Sequence, residues 1–574
     1  MSLRTKFRAG VLLALGLAMA WPIAAHYRAK WKVELYRREL KAKGEKVAIS
    51  ELIPPRLIDS PNGARALLTV GGRLSSLDLS NLPPTMKLLA PGHALVAWNQ
   101  AFLPTADSTN IWPGLSGTLD QNGNIIADAR AALEDPVIAF DLNYSQGFNL
   151  AVSHLMCVKR VSQWLSAAAI LDLHEGRSSN AWENLQALIA LVEKNKTEPL
   201  MISELVRIAL GQIALNATWE ALQCSDWRDE QLGELQKMWA SVDLLTQAES
   251  VLAMERAMGE KVFAEGRQSY AVITSGSFSA GAKGSGLAEL TQMGKDVLDD
   301  PKEGLRALAR RYPGYWAWRC WQSYEDELAN MQIVQAGIEA GRVARKDRAL
   351  GLALKQLGQT AAAIQNAHPN VGKWLGYSLA SDGMVDRFLS RVSTLEIERS
   401  LLIAAIALKR CQLKHGAYPE NLAALVPEFL PETPRDAMDG QPLRYRLKPD
   451  GSFLLYSVGE DGEDNGGDAA PTKPGSVLAT KQWWKARDAV WPMPATVEEV
   501  RAEFAKLEAQ RKTNEEVKLD LERLKARQTS EEMLSPSPAA SPGTNSPDAE
   551  AFRKRYGLPP PAAAQTNATI NTAK

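Results

Sequence analysis

The chain has 574 residues, too many for one hydrophobic core, and this length predicts two or three folded units. Lysine plus arginine and aspartate plus glutamate both number 66, so the formal net charge is zero. Proteins that wrap nucleic acid carry a basic excess to neutralise phosphates, so nucleic acid is not an expected partner.

The N-terminus has the layout that export machinery reads. An uncharged, leucine- and alanine-rich run covers 9–25. Three basic residues precede it: Arg4, Lys6 and Arg8. Residues 1–26 are therefore either an uncleaved signal anchor or a signal peptide with small-residue cleavage sites at 18–20 and 23–25. The charged helix predicted from Tyr27 onward favours an anchor, which would bind the inner membrane as one transmembrane helix.

Two signals disagree about the orientation of that anchor. Five basic residues follow the apolar run: Arg28, Lys30, Lys32, Arg37 and Arg38. The positive-inside rule would then keep the body in the cytoplasm. The signal-like start and the module near the C-terminus argue for the other side. We expect a single-pass inner-membrane protein with a periplasmic body.

The segment after the anchor differs in character from the body that follows it. Proline and glycine pairs punctuate 27–145 and predict short helices and a few strands that wrap against the body. From 146 to 394, apolar residues recur at three- and four-residue spacing, which predicts a body of helical hairpins and a mainly α fold. Gly176 is predicted to end the first helix of one hairpin. A Gly/Ser-rich stretch at 274–286 interrupts this body. Further helices are predicted over 202–222, 232–263 and 318–365.

Residues 395–470, called the C-terminal module below, follow a different pattern that predicts a small α+β unit. In chain order, the pattern predicts a helix over 395–415 that ends at Gly416, an extended step at Tyr418-Pro419, a turn at Asp439-Gly440, and two strands, 443–447 and 453–458, joined by a turn at 448–451.

The order of these elements and three sequence fragments resemble the major pseudopilin of type II secretion systems. The fragments are Tyr418-Pro419, residues 436–442 (DAMDGQP) and residues 457–468 (SVGEDGEDNGGD). Ala437-Met438 depart from the Pro and aromatic residue of the family. No apolar assembly helix with a prepilin cleavage motif directly precedes the module, which argues against pilus-type polymerisation. The rest of the chain looks like large uncharacterised bacterial envelope proteins that carry such a module.

The resemblance implies calcium in the acidic loop, where five carboxylates fall within nine residues. Calcium takes six to eight oxygen ligands, and the glycines of the loop allow backbone carbonyls to contribute. We expect Asp461, Asp464 and Asp468 to hold a structural Ca²⁺. An EF-hand is excluded because Thr472 stands where the closing glutamate is required. The alternative is a solvated acidic loop whose charges repel one another.

The remaining C-terminal sequence predicts a linker and a charged helix over 471–534. Thr496 and Glu499 form a capping box at the start of that helix. Residues 535–574 are rich in proline, alanine, serine and asparagine, a composition that predicts disorder.

The sequence contains no recognisable catalytic motif. The chain has no HExxH zinc motif, no GxSxG elbow and no GxxxxGK[ST] phosphate loop, so no catalytic or cofactor-binding residue is predicted. The four cysteines form no CxxC pair, which disfavours a zinc or redox site. Buried free thiols are expected, or one or two disulfides if the chain is exported. The cysteines are Cys157, Cys224, Cys320 and Cys411.

These patterns together predict a non-enzymatic, membrane-anchored envelope protein with a scaffold or interaction role and an unidentified protein partner. Two alternatives remain open at this stage. One is a component associated with type II secretion, and the other is a hydrolase whose site is assembled from distant residues of the helical body.

Overall fold

The structure is a computed structural model that describes residues 24–55, 60–74, 82–105, 107–269, 315, 317–369, 383–472 and 483–534. The predicted mainly α fold is confirmed. The chain divides into two compact units, the first comprising 1–100 with 114–495 and the second 101–113 with 496–574.

The helices of the described chain are as follows. They are α1 (24–42), α2 (Ile49–Leu52), α3 (Ala64–Arg73), α4 (Trp112–Gln121), α5 (Gly123–Ala132), α6 (His154–His174), α7 (Ser178–Lys194), α8 (Met201–Leu222), α9 (Asp229–Ser241), α10 (Leu245–Gly266), α11 (Ser323–Asp347), α12 (Leu350–Ala367), α13 (Met384–His415) and α14 (Val497–Leu534). Short 3₁₀ turns lie at Tyr144–Asn149, Leu422–Leu425 and Trp483–Lys485, and a π turn at Trp318–Gln322 precedes α11.

Helix α1 is built into the helical body. Val33 and Leu40 pack with Val47 against Leu328 and Met331 of α11 in one buried apolar cluster. Apolar burial of this kind is the main favourable term in helix packing. Helix α1 is therefore a structural part of the first unit.

Ion pairs reinforce the packing of α1. The Arg37 guanidinium lies 2.8 Å from the carboxylate of Glu260 on α10 and 3.3 Å from that of Glu327 on α11. Arg267 approaches the same buried Glu327 at 2.8 Å. Buried carboxylates are tolerated when cations accompany them in this way.

The predicted helical hairpin is confirmed as α6 and α7. Gly176 joins them with a φ of 73°, the left-handed conformation that glycine adopts without steric cost. Helix α8 matches the predicted 202–222 helix and packs on α6, α7 and α13. It meets α13 closely at Gly211, where an added Cβ would lie 2.5 Å from the Leu395 side chain.

The expectation of one long helix over 232–263 is wrong. Helix α9 ends at Ser241 and α10 begins at Leu245. Val242 takes an extended ψ of 107°, and the Asp243 side chain accepts a hydrogen bond from the Thr246 amide at 3.0 Å. The aspartate offers the backbone an alternative to helix continuation, which apolar periodicity alone does not detect.

The predicted helix over 318–365 is also divided. It opens with the π turn and breaks at Arg348, whose φ of 54° is left-handed. Such a conformation is uncommon for a residue with a Cβ. Contacts with the C-terminal module hold it, as described below.

Glu220 of α8 anchors a small sheet made of β1 (Lys87–Ala90), β2 (His93–Leu95) and β6 (Met493–Pro494). Its buried carboxylate accepts hydrogen bonds from the amides of Met86 at 2.9 Å and Ala97 at 3.0 Å. The Trp98 indole donates to the Glu220 carbonyl at 2.8 Å. Backbone groups that flank the sheet are therefore paired through one acidic side chain.

The C-terminal module contains the predicted helix and hairpin in the expected order. Its helix, α13, begins at Met384, eleven residues before the expected start, and ends at Gly416, which is left-handed at a φ of 79°. Strands β3 (Arg444–Leu447) and β4 (Phe453–Ser457) pair antiparallel. A short strand that was not predicted, β5 (Ala489–Val490), pairs with β4 and completes the sheet.

In the second unit, the predicted capping box at the start of α14 is confirmed. The Thr496 amide donates to the Glu499 carboxylate at 2.8 Å, and the Glu499 amide donates to the Thr496 hydroxyl at 3.3 Å. The rings of Phe102 and Phe504 lie 5.3 Å apart in the same unit.

Among the helices in the described ranges, none is long and apolar enough to cross a bilayer. The predicted anchor over 9–25 lies almost wholly outside the described residues, as do the Gly/Ser-rich stretch at 274–286 and the tail at 535–574. All four cysteines are described, and all four are free thiols.

We predict that Glu220 makes stability depend on pH. Burial raises the pKa of Glu220 from 4.5 to about 8, in spite of its backbone donors. The folded state therefore holds this proton to higher pH than the unfolded state does. The stabilising contribution is complete below pH 4.5 and is lost as the pH rises toward 8, a decline of several kcal/mol in the free energy of unfolding.

Urea unfolding of the wild type and of Glu220→Gln between pH 5 and pH 9 tests this assignment. The variant lacks the titrating group, so its deficit relative to the wild type should shrink as the pH rises. The exposed Glu230→Gln change is the matched control and should follow the wild type. A deficit that is constant across the range would contradict the prediction.

Candidate functional site

Asp436 is the first residue of the turn over 436–440 in the C-terminal module, and its side chain holds that turn in place. Its buried carboxylate accepts hydrogen bonds from the Met438 amide at 2.9 Å, the Ser457 hydroxyl at 2.7 Å and the Val458 amide at 2.9 Å. Arg444 donates to it at 3.1 Å. Burial raises the pKa of Asp436, and the donors of Met438, Ser457 and Val458 oppose that rise. One carboxylate thus fixes the turn over 436–440 to strand β4.

Arg444 connects this turn with the acidic loop. Its guanidinium contacts Asp436, Asp439 at 2.5 Å and Asp464 at 3.4 Å. The Asp464 carboxylate also accepts hydrogen bonds from the Gly466 amide at 3.0 Å and the Tyr456 hydroxyl at 2.9 Å. The Gly466 amide, the tyrosine and the arginine lower the pKa of Asp464. The positive charge of one arginine therefore balances negative charges of carboxylates from two segments.

The turn over 436–440 is joined to the helical body through the first residues of α12. The amides of Leu350 and Gly351 donate to the carbonyls of Ala437 and Met438, both at 2.8 Å. The first amides of a helix have no partner within the helix, so the turn supplies acceptors that α12 otherwise lacks. Gly440, with a φ of 74°, lies so close to the Asp347 carbonyl that an added Cβ would be 3.2 Å from its oxygen.

The three carboxylates predicted to bind calcium have partners within the protein. Asp461 accepts a hydrogen bond from the Glu463 amide at 3.0 Å. Asp468 accepts one from the Ala470 amide at 2.9 Å and pairs with Arg487 at 3.1 Å. Asp464 contacts Arg444 as described above. Within the described ranges, no group of three or more His, Cys, Asp or Glu side chains is arranged to hold a metal ion.

Asp488 is an organising residue of the acidic loop that sequence reasoning missed. Its buried carboxylate accepts hydrogen bonds from the amides of Asn465 at 3.2 Å, Gly467 at 2.8 Å and Asp468 at 3.1 Å. Burial raises the pKa of Asp488 against these donors. A lone aspartate about twenty residues after the loop forms no local motif, so the pattern contained no signal for this role.

A cavity of about 290 Å³ lies where the C-terminal module meets the helical body. Its wall combines the joint between α11 and α12, one face of α13 and the segment that leads into the turn over 436–440. Four arginines line it: Arg345, Arg348, Arg399 and Arg435. We call it the arginine cleft. Sequence reasoning did not find it, because its arginines come from segments up to ninety residues apart.

Most charges in the arginine cleft are balanced. Three carboxylates line it, those of Glu396, Glu432 and Asp436. Arg399 contacts Glu396 at 2.6 Å, and Arg348 contacts Glu432 at 2.5 Å. Arg435 donates to the Gly440 carbonyl at 2.8 Å and has no carboxylate partner among the described residues. Arg345 contacts Glu249, outside the lining, at 3.2 Å, and Asp436 contacts Arg444. Arg435 is therefore the lining guanidinium left without a carboxylate among the described residues, which suits an anionic ligand.

The helical body contains one cluster that bears on the hydrolase alternative. His154 Nε2 lies 2.8 Å from Glu198 Oε1, and the Ser203 hydroxyl donates to the other oxygen of the same carboxylate. All three side chains are buried. A nucleophilic serine must donate to a base such as histidine, whereas this serine donates to the carboxylate. The geometry is that of a structural crosslink between the start of α6 and the segment before α8.

Comparison of the chain with protein-family models, with curated proteins and with solved structures returned no match.

We predict that Asp436→Asn costs about 2–4 kcal/mol of stability, because an amide can accept from only some of the four donors and turns an N–H₂ group toward the rest. Denaturant unfolding of the full chain measures this loss. Asp450→Asn is the control, because Asp450 is exposed in the hairpin turn and its carboxylate bonds only Ser452 within the described ranges. Equal losses in the two variants would show that the turn does not depend on Asp436.

Proposed function

We propose that the protein is a non-enzymatic, membrane-anchored scaffold of the cell envelope that binds an acidic segment of a partner protein in the arginine cleft. The observation that carries the proposal is Arg435, a guanidinium of the cleft lining that has no carboxylate partner among the described residues. Arginine recognises carboxylates through paired N–H donors, so an acidic side chain is the natural complement.

The fixed walls of the arginine cleft support a binding role. Two backbone hydrogen bonds join the C-terminal module to α12, and Arg348 is held at the joint by its pair with Glu432. A site whose walls are fixed before binding loses less conformational entropy when a partner arrives. The signal-like N-terminus supports a place in the envelope, with the inner membrane bound through residues 9–25 and the body on the periplasmic side.

A role associated with type II secretion is the second candidate. The helix, turn, hairpin and acidic loop follow one another in the order that the pseudopilin resemblance implies. Asp436, the first residue of the 436–442 fragment, bonds Ser457, the first residue of the 457–468 fragment, at 2.7 Å. This contact gives a structural reason for the two fragments to occur together. The Asp436–Ser457 contact supports the resemblance to the pseudopilin module. It gives no information about a secretion partner.

An acidic peptide tests the binding proposal. We predict that fluorescein-labelled hexaglutamate binds the full-length protein, that salt weakens the binding, and that hexalysine does not bind. Arg348→Gln with Arg435→Gln should weaken the affinity several-fold, because the cleft then loses the unpaired guanidinium of Arg435 and a second guanidinium of its lining. Fluorescence anisotropy measures both effects.

The matched control for the peptide experiment is Arg65→Gln with Arg501→Gln. These are two exposed arginines outside the cleft, so the pair removes the same net charge from the protein. If the control double variant lost as much affinity as the cleft variant, binding would follow net charge alone and the proposal would fail.

Calcium in the acidic loop remains part of the proposal, with Asp461, Asp464 and Asp468 as ligands and a structural role. A cation that binds only the folded state raises the unfolding temperature by mass action. We therefore predict that calcium raises the unfolding temperature of the wild type relative to EGTA and leaves the Asp461→Asn/Asp464→Asn/Asp468→Asn variant unchanged. Asp450→Asn should respond as the wild type does.

Scanning calorimetry of these proteins decides between the two accounts of the loop. A wild-type unfolding temperature that calcium does not change would show that Asp488 and Arg444 hold the loop without a metal ion.

A further inference from the structure

A second cavity, of about 350 Å³, lies between α8 and α13, away from the arginine cleft. Its walls are mainly apolar and include Leu205 and Ile208 from α8 with Met384 and Phe388 from α13. Residues three and four positions apart share one face of a helix, so these side chains form one stripe on each helix. We call the cavity the α8–α13 groove.

Two cations lie on the same stripe of α13. Arg387 and Arg391 both line the groove, and both are exposed. In the part of the chain that the structure describes, neither guanidinium has a carboxylate partner within ion-pair distance. Like charges four residues apart on a helix repel each other. A single anion between the two arginines would relieve that repulsion.

The wall also contains one unpaired polar group. Gln212 lines the groove, and its side-chain amide nitrogen is buried without a hydrogen-bond acceptor among the residues that the structure describes. Buried donors are nearly always paired, so an unpaired one indicates a missing acceptor. The groove therefore offers apolar walls, two guanidinium groups and one free donor, and all of its polar groups favour an anionic or hydrogen-bond-accepting ligand.

We propose that the α8–α13 groove binds a single-chain fatty acid. The hydrocarbon chain lies against the apolar stripes of the two helices, and the carboxylate lies between Arg387 and Arg391. Small-molecule sites commonly combine a mainly apolar wall with a few polar groups that fix orientation. The α8 stripe from Met201 to Gln212 covers eleven residue-to-residue steps, about 16 Å at 1.5 Å per step, which suits an extended chain better than a compact ligand. This inference is independent of the arginine cleft.

Titration calorimetry with dodecanoate, used below its micelle concentration, tests the proposal on the full-length protein. Dodecanol and dodecyltrimethylammonium have the same chain with a neutral and a cationic head group. We expect dodecanoate to bind in an equimolar complex and more tightly than either of the others. Arg387→Gln with Arg391→Gln should weaken dodecanoate about tenfold and leave dodecanol unchanged, because only the carboxylate uses charge-assisted hydrogen bonds.

Two further variants locate the site. Ala209→Phe places a large side chain in the groove and should abolish binding of dodecanoate, provided that its thermal unfolding shows a folded protein. Arg65→Gln with Arg501→Gln removes two exposed arginines elsewhere and should bind as the wild type does.

Three results would overturn the proposal. They are no binding of dodecanoate, equal affinity for the three head groups, and full affinity in a folded Ala209→Phe variant. If dodecanoate did not bind, an apolar helix of a partner protein would be the remaining candidate to occupy the groove. The hexaglutamate experiment uses a different ligand and different site variants, so failure of one proposal is distinguishable from failure of the other.

Discussion

The buried carboxylate of Asp436 is the constraint on which the joint between the C-terminal module and the helical body depends. It gathers the donors of Met438, Ser457 and Val458 and so fixes the direction of the turn over 436–440. Once the turn is fixed, two of its carbonyls meet the first amides of α12. Those amides have no acceptor within their own helix. The two hydrogen bonds therefore satisfy backbone groups of both the helix and the turn.

The arginine cleft is a consequence of this joint. Arg345 and Arg348 come from the end of α11 and the break that follows it, Arg399 comes from α13, and Arg435 immediately precedes the buried aspartate. No one of these segments would form a cavity alone. The left-handed Arg348 lies beside the docked turn, so the break in the helix and the cleft occur at the same joint. The function proposed for the cleft therefore depends on a fixed module.

Several local features of this fold were predicted correctly from the sequence, although the local break at Asp243 was missed, as were the long-range features. Gly176 and Gly416 end helices, and the hairpin of β3 and β4 forms as expected, because each depends on conformations of adjacent residues. The break at Arg348 and the role of Asp488 depend on partners far along the chain, which periodicity cannot reveal. The three carboxylates expected to hold calcium do lie in one loop, but Arg444 and Arg487, which contact Asp464 and Asp468, lie outside the local motif.

The most direct test of the fixed joint is residue-resolved hydrogen exchange of the full-length protein at the amides of Leu350 and Gly351. The first amides of an isolated helix exchange quickly because they lack partners, so protection at these two positions reports the bond to the turn. The account predicts exchange as slow as that of the Val458 amide, which Asp436 holds within the module. Fast exchange at Leu350 and Gly351 with a protected Val458 would show a folded module that moves independently of the helical body, and would contradict the account.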